Sequence, residues 1–149
     1  MATPATLSAT TQLDTGNYQG VSVRSSSVLT TSYVYTDYMD VRLFEAIDWV
    51  ISLTAQGSIT RLDIQLQFAM TTVPVEGDFA TMQAESIDTS GNATITDYTL
   101  QKTISTIITL GVSVPVRGRF MRMGIKAGVG AVAGSLCQIS ALRRKPRTA

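Results

Sequence analysis

Apolar and polar residues alternate with strict period two over residues 59–71, which read ITRLDIQLQFAMT. One parity is apolar and consists of Leu62, Ile64, Leu66, Phe68 and Met70. The other parity is mostly polar. A helix would spread the apolar positions around its circumference, whereas a strand places them on one side. The pattern therefore predicts a half-buried strand with a wet outer face.

Similar patterns, rich in β-branched residues, recur along most of the chain and predict eight short strands. In one of them Trp49 shares its parity with Ile51 and Leu53, which places it on a core face. The predicted strands cover residues 28–36, 46–54, 59–71, 78–86, 93–104, 105–114, 118–127 and 135–142. Turn residues separate most of them. This spacing predicts an all-β protein, a single antiparallel β-sandwich or jelly roll over residues 26–144.

The two ends of the chain lack this alternation. Residues 1–25 are rich in Thr, Ser, Gly and Ala and predict an extended N-terminal arm, while residues 145–149 form a basic tail. Because no aromatic residue accompanies the tail, we favour a docking strap over a nucleic-acid site. The candidate interface residues are Leu7, Leu13, Tyr18, Val21, Tyr38, Arg143, Arg144, Lys145 and Arg147.

Residues 128–134, GVGAVAG, imitate the glycine spacing of a dinucleotide-binding loop. That fingerprint requires a strand, a turn and a helix, with an acid about 20 residues further on. No acid follows Gly128, and the remaining residues alternate like a strand. We therefore predict no nucleotide site here. The segment is interpreted as a hairpin loop joining the strands 118–127 and 135–142.

The residue composition argues against most enzyme chemistry. The chain has no histidine, and Cys137 is its single cysteine, so we expect no disulfide, no metal site and no Ser-His or Cys-His nucleophile. Cys137 itself is predicted to be a small buried hydrophobe. Three close carboxylate pairs, Asp37/Asp40, Glu45/Asp48 and Glu76/Asp78, are predicted to be solvated. Residues 88–92, DTSGN, lack the closing Glu of an EF-hand, which leaves calcium a minor alternative. We predict no enzyme activity and no cofactor.

Charge is segregated along the chain. Residues 1–97 carry 3 basic and 11 acidic residues, giving 3 − 11 = −8, whereas residues 98–149 carry 9 basic residues and no acid. Two interpretations stay open: the halves interleave and mix their charges, or the surface is two-signed and suits head-to-tail stacking. No apolar stretch reaches about 20 residues and the N-terminus lacks signal-peptide features. We therefore expect no membrane partner and synthesis in a cytoplasm.

The order of the strands resembles small β-sandwich structural proteins of tailed bacteriophages. The residues that carry the likeness are 45–70, 77–86 and 114–144, including the late element Gly118-Arg119-Phe120-Met121-Arg122. The resemblance spans roughly residues 40–144, although many relatives have Asp-Gly and a Trp where this chain has Glu76-Gly77 and Phe79. It implies a virion protein made in the host bacterium that decorates or cements the capsid. It also implies a homo-oligomer, with a trimer expected, and the major capsid protein or another virion protein as partner.

Two alternatives accompany this hypothesis. The first is a neck, tail or fibre-attachment protein of the same virion. The second is a carbohydrate-binding or adhesin module, which would display Trp49 or several tyrosines on a solvent-facing platform. We predict instead that Tyr33 and Tyr35 pack in the core of the sandwich.

Overall fold

The computed structural model describes residues 2–5 and 18–146. Twelve strands and one 3-10 turn, Glu76–Asp78, make up its regular structure. The strands are β1 Tyr18–Ser27, β2 Val34–Tyr35, β3 Met39–Asp40, β4 Ala46–Gln56, β5 Arg61–Ala69, β6 Ala80–Thr81, β7 Gln83–Ile87, β8 Ala93–Asp97, β9 Thr99–Thr103, β10 Ile108–Pro115, β11 Phe120–Val129 and β12 Ser135–Arg144.

These strands form two packed antiparallel sheets and one separate hairpin. The first sheet has the order β1-β12-β4-β10. In the second, β2 and β3 pair with one edge of β11, β5 pairs with the other, and β6 and β9 pair with the far edge of β5. Strands β7 and β8 pair with each other. The predicted all-β sandwich is confirmed.

The core lies between the inward faces of the two sheets. Trp49 and Ile51 of β4 face Ile64 of β5 and Met121 of β11, and all four side chains are buried. The predicted parity of β4 and β5 is therefore confirmed, including the core position of Trp49. The predicted wet outer face of β5 is wrong, because Asp63, Gln65 and Gln67 on that face are buried as well. Cys137 is also fully buried, and burial raises the pKa of its thiol to about 11, consistent with a small hydrophobe.

The prediction of an arm over residues 1–25 is wrong for its C-terminal part. Residues 18–27 form β1, which pairs along β12. Val21 and Val23 alternate with polar residues and are 2% and 1% exposed. The period-two alternation of residues 18–27 is short and lies among many small polar residues. For this reason the sequence does not indicate that Val21 and Val23 form a buried face. Residues 6–17 lie outside the described residues, and Ala5 donates a backbone hydrogen bond to the Tyr38 carbonyl.

The glycine-rich connection is not the predicted hairpin loop. Strand β11 belongs to the six-stranded sheet and β12 to the four-stranded sheet, so the connection crosses from one layer to the other. The turn between β4 and β5 makes the same crossing beside it, and Ser58 donates a hydrogen bond to the Ala131 carbonyl. Gly130 has a φ of 101° and lies against the Ser58 backbone. The β11–β12 and β4–β5 connections can lie side by side because Gly130 has no side chain.

The outer edge of β5 carries one broken strand. Residues Ala80–Thr81 pair with the C-terminal part of β5, and Thr99–Thr103 pair with its N-terminal part. Between them the chain leaves the sheet as the β7-β8 hairpin and returns, and the Tyr98 amide donates to the Met82 carbonyl. The predicted strands 78–86 and 93–104 are each divided at this exit.

We expect Gly130→Ala to destabilise the fold by at least about 2 kcal/mol, because a left-handed φ is costly for alanine and its Cβ would collide with the Ser58 carbonyl. Gly111→Ala is the matched control, since no atom lies within 4 Å of its Cβ position. Urea unfolding of both variants measures the difference. Equal stability of the two variants would show that the crossing tolerates a side chain.

Candidate binding surfaces

The outer face of the six-stranded sheet carries a layer of polar and aromatic side chains. In β11 the inward residues are methionine and isoleucine, whereas Arg122, Gly124 and Lys126 face outward. In β5 the outward residues are Asp63, Gln65 and Gln67, which pair across the sheet with those of β11. The strand alternation that buries the core thus also aligns this second layer.

Arg122 is the centre of this layer and is only 3% exposed. Its guanidinium carbon lies 4.1 Å from the ring centroid of Tyr35 and 4.0 Å from that of Phe79. Nε donates to Gln67 Oε1 at 2.8 Å, and Nη2 donates to Glu76 Oε1 at 2.7 Å. The hydrogen bond from Arg122 lowers the pKa of Glu76. A buried cation is thereby both stacked and hydrogen-bonded.

Tyr33 and Tyr35 belong to this outer layer, so the prediction that they pack in the core is wrong. Their rings lie over Gly124, where a Cβ would approach the Tyr35 ring to 2.8 Å. Lys126 Nζ stands 4.7 Å from the Tyr33 ring centroid. Burial raises the pKa of Tyr33, whose hydroxyl also bonds Thr99. β-branched and aromatic composition cannot distinguish the two sides of a sheet, which is why sequence reasoning missed this placement.

Most polar groups of the layer have partners within it. Arg61 forms an ion pair with Asp63 at 2.7 Å, and Gln65 and Gln67 donate to threonines of β9 and β6. Beside them lies a cavity of about 200 Å³. It is lined by Ala2, Thr3, Tyr35, Thr36, Asp37, Glu76 and Arg122. Tyr35, 37% exposed, is the ring of this layer that reaches solvent most.

The β7-β8 hairpin, Gln83–Asp97, is a second candidate surface and is called the acidic hairpin below. It contains Glu85, Asp88 and Asp97 and no basic residue, a net charge of −3. Ile87 and Ile95 share one face of the hairpin and are 70% and 72% exposed. Asp88 shapes the tip by accepting hydrogen bonds from the amides at positions 90 and 92.

A third surface lies at the end of the sandwich where β4 begins and β10 and β12 end. We call it the basic end; its residues are Arg117, Arg119, Arg143, Arg144 and Lys145. Arg143 stacks on the Phe44 ring at 4.6 Å and donates to the Asp40 carbonyl, and its burial lowers the pKa of the guanidinium. Arg144 faces Glu45 at 3.4 Å.

The structure separates the predicted interface residues. Arg143, Arg144 and Lys145 meet at the basic end. Tyr38 instead packs against Phe79 and Phe120 inside the chain, and the side chain of Val21 is in the core, so Val21 is not a surface residue. The remaining predicted interface positions lie outside the part of the chain that the structure describes: Leu7, Leu13, the Tyr18 side chain and Arg147. The acidic hairpin was not predicted as a surface, although its charge and its exposed isoleucines are visible in the sequence.

The two halves of the sequence contribute opposite charges to shared pairs. Arg122 contacts Glu76, and Arg144 contacts Glu45, so part of the segregated charge is mixed by the fold. Burial raises the pKa of Asp37. Over residues 2–5 and 18–146 no group of three or more Cys, Asp or Glu residues is arranged to hold a metal ion. In the same residues, no helix has the length and apolarity needed to cross a membrane.

Comparisons with known proteins find neither a matching family model nor a matching curated protein. Among solved structures, the chain is similar to CorA, a surface-associated copper-binding protein of Methylomicrobium album BG8. The TM-score is 0.39 at 10% identity, with coverage of 89% of this chain and 95% of that one. A CBM4 structure gives a TM-score of 0.38 at 4% identity, with coverage of 87% and 71%. TM-scores this low carry no argument about what the chain binds.

We expect Arg122→Ala to lower stability by about 3 kcal/mol at neutral pH, because it removes two cation–π contacts and two charge-assisted hydrogen bonds. Arg42→Ala is the control: its ion pair with Asp40 is exposed, so its loss should change the stability far less than the loss of Arg122 does. Chemical denaturation of the three proteins provides the measurement.

The difference in stability between the wild type and Arg122→Ala should depend on pH. The Glu76 pKa is lowered in the folded chain, so the stabilisation is complete above the unfolded pKa of about 4.3 and is lost as pH falls through the folded pKa. The stability gap between the wild type and Arg122→Ala should therefore narrow in acid. A gap that stays constant as the pH falls well below that unfolded value would assign the effect to stacking alone.

Proposed function

We propose that this chain is a non-enzymatic structural protein that binds other protein subunits, and that its acidic hairpin is one contact element. The observation that carries the proposal is the position of the hairpin outside both packed sheets, with Ile87 and Ile95 exposed. In agreement with the resemblance described above, we assign the chain to the virion of a tailed bacteriophage. There it would decorate the outer shell of the capsid.

An unsupported hairpin is a costly element for a monomer. Two strands without a layer behind them are marginally stable in water, and each fully buried isoleucine contributes about 1.5–3 kcal/mol. Every residue of β8 is exposed, so the face that carries Ile87 and Ile95 beside Glu85 is uncovered. A neighbouring surface that covers this face would stabilise the hairpin and the assembly together.

The rest of the fold suits the same role. The sandwich is a rigid two-layer body, and the described residues place charged and apolar groups on its periphery at the hairpin and at the basic end. Binding to the major capsid protein, with self-association into a homo-oligomer such as a trimer, uses these peripheral elements. A neck, tail or fibre-attachment protein would use them in the same way at another place in the virion.

The test replaces Gln83–Asp97 with a short glycine linker, which is feasible because the Tyr98 amide contacts the Met82 carbonyl at 2.8 Å. Purified wild-type and linker proteins are co-sedimented with phage heads that lack outer proteins. We expect the wild type to bind the heads and the linker variant to lose most of this binding while keeping its sandwich, measured by circular dichroism.

Point variants make the test sharper. Ile87→Ser with Ile95→Ser removes the apolar face of the hairpin, whereas Val73→Ser removes an equally exposed apolar side chain elsewhere. The double variant should weaken head binding at least tenfold and the control should not. Binding by the linker variant that equals the wild type would refute the role of the hairpin, and a wild type that binds no head protein would refute the virion assignment.

A carbohydrate-binding function is the second candidate, and one observation favours it. The Tyr35 ring lies beside Gly124, where an added Cβ would approach it to 2.8 Å, and it remains 37% exposed, next to a cavity of about 200 Å³. Sugar rings stack on such aromatic faces.

A glycan bound at this place should lose affinity in Tyr35→Ala, because the ring supplies the stacking surface. Tyr98→Ala is the matched control, since Tyr98 is similarly exposed but belongs to the hairpin exit. Screening of the wild type on immobilised glycans, followed by calorimetry with any hit, measures the effect. Equal binding by Tyr35→Ala and the wild type would exclude this face.

A further inference from the structure

We infer that the acidic hairpin of one copy binds the basic end of a second copy, so that copies join head to tail. This inference rests on the proposed function, since it names the partner of the hairpin that the proposed function leaves open. The partner that we infer for the hairpin is a second copy of this chain. Two features support it: the charges of the two surfaces and their exposed apolar side chains. The two surfaces are formed by different residues of one copy: Gln83–Asp97 form the hairpin, and residues beside the first residue of β4 and the last residues of β10 and β12 form the basic end.

Charge is the first complementary feature. The hairpin has a net charge of −3. At the other surface the five residues of the basic end and Arg42 lie near the carboxylates of Asp40 and Glu45, which gives 6 − 2 = +4. Opposite charges at two separate surfaces of one molecule favour association between copies and set its orientation.

Apolar exposure is the second complementary feature. The loop between β3 and β4 lies at the basic end, because the Glu45 amide bonds the Arg144 carbonyl. Leu43 in this loop is 77% exposed. Met70, at the end of β5, lies at the same end because the Arg119 amide bonds the Ala69 carbonyl, and it is also exposed. Ile87 and Ile95 of the hairpin therefore meet apolar as well as basic side chains in a second copy.

The hairpin is available to a second copy because its residues are uncovered in a single copy. The hairpin leaves the sheet beside Leu66, midway along β5, whereas the basic end lies beyond the last residue of that strand. Each hairpin strand has five residues, so the hairpin projects about 17 Å from the sheet edge. Its residues are almost all exposed in a single copy. A contact between two different surfaces is heterologous and generates a ring or an open filament.

Charge reversal in pairs tests this inference. One variant carries Glu85→Lys and Asp97→Lys in the hairpin; the other carries Arg117→Glu and Lys145→Glu at the basic end. All four side chains lie outside the core, so folding should be unaffected, which circular dichroism checks. Sedimentation velocity of the wild type at about 50 mM salt should show concentration-dependent association that weakens at higher salt, as screening requires.

Each variant alone should associate at least tenfold more weakly than the wild type, because the substitutions change the hairpin to −3 + 4 = +1 and the basic end to 4 − 4 = 0, so neither variant keeps two oppositely charged surfaces. An equimolar mixture should regain association, since the unchanged hairpin of the second variant (−3) can bind the unchanged basic end of the first (+4). Failure of the mixture to regain association overturns the inference. A wild type that is monomeric but binds phage heads through its hairpin also overturns it, and leaves the proposed function standing.

Discussion

The six-stranded sheet depends on the alternation of inward and outward side chains in strand β5. Its inward residues, among them Ile64, complete the core against the four-stranded sheet. Its outward residues, Asp63, Gln65 and Gln67, anchor the polar layer. Its outer edge receives two short strands in succession instead of one long strand. A single strand with strict period-two alternation thus determines the core, the buried polar layer and the exit of the hairpin.

The polar layer explains how a chain with few charges keeps a sheet face dry without an additional covering element. Arg122 is shielded by Tyr35 and Phe79 and bonded to Gln67 and Glu76, so its desolvation is offset by both stacking and hydrogen bonds. Gly124 has no side chain, so the tyrosine rings reach the backbone. The packing of Tyr33 and Tyr35 on β11 connects the N-terminal part of the domain to the six-stranded sheet. Because most polar groups of the layer bond each other, few remain for a ligand on this face.

Local alternation predicted which residues face inward, and the fold class follows from it. It identified β4 and β5 with their parities and Trp49 as a core residue, and it predicted strands at the positions of β11 and β12. It could not predict which strands are neighbours, because pairing depends on contacts far apart in sequence. For this reason the sequence predicts a hairpin at Gly130, where the structure has a connection between two sheets. The same limit hid the outward placement of Tyr33 and Tyr35.

The acidic hairpin is missed for a related reason: its residues have strong strand patterns, but the edge of β5 has no room for them. Beside β5 the places are already taken by Ala80–Thr81 and Thr99–Thr103, so the residues between them pair with each other outside the sheet. Strands β7 and β8 keep their backbone hydrogen bonds by pairing with each other. They have no second layer against which Ile87 and Ile95 could be buried. In the proposed assembly another molecule supplies the covering layer. The interrupted edge strand would then link folding of the sandwich to assembly of its copies.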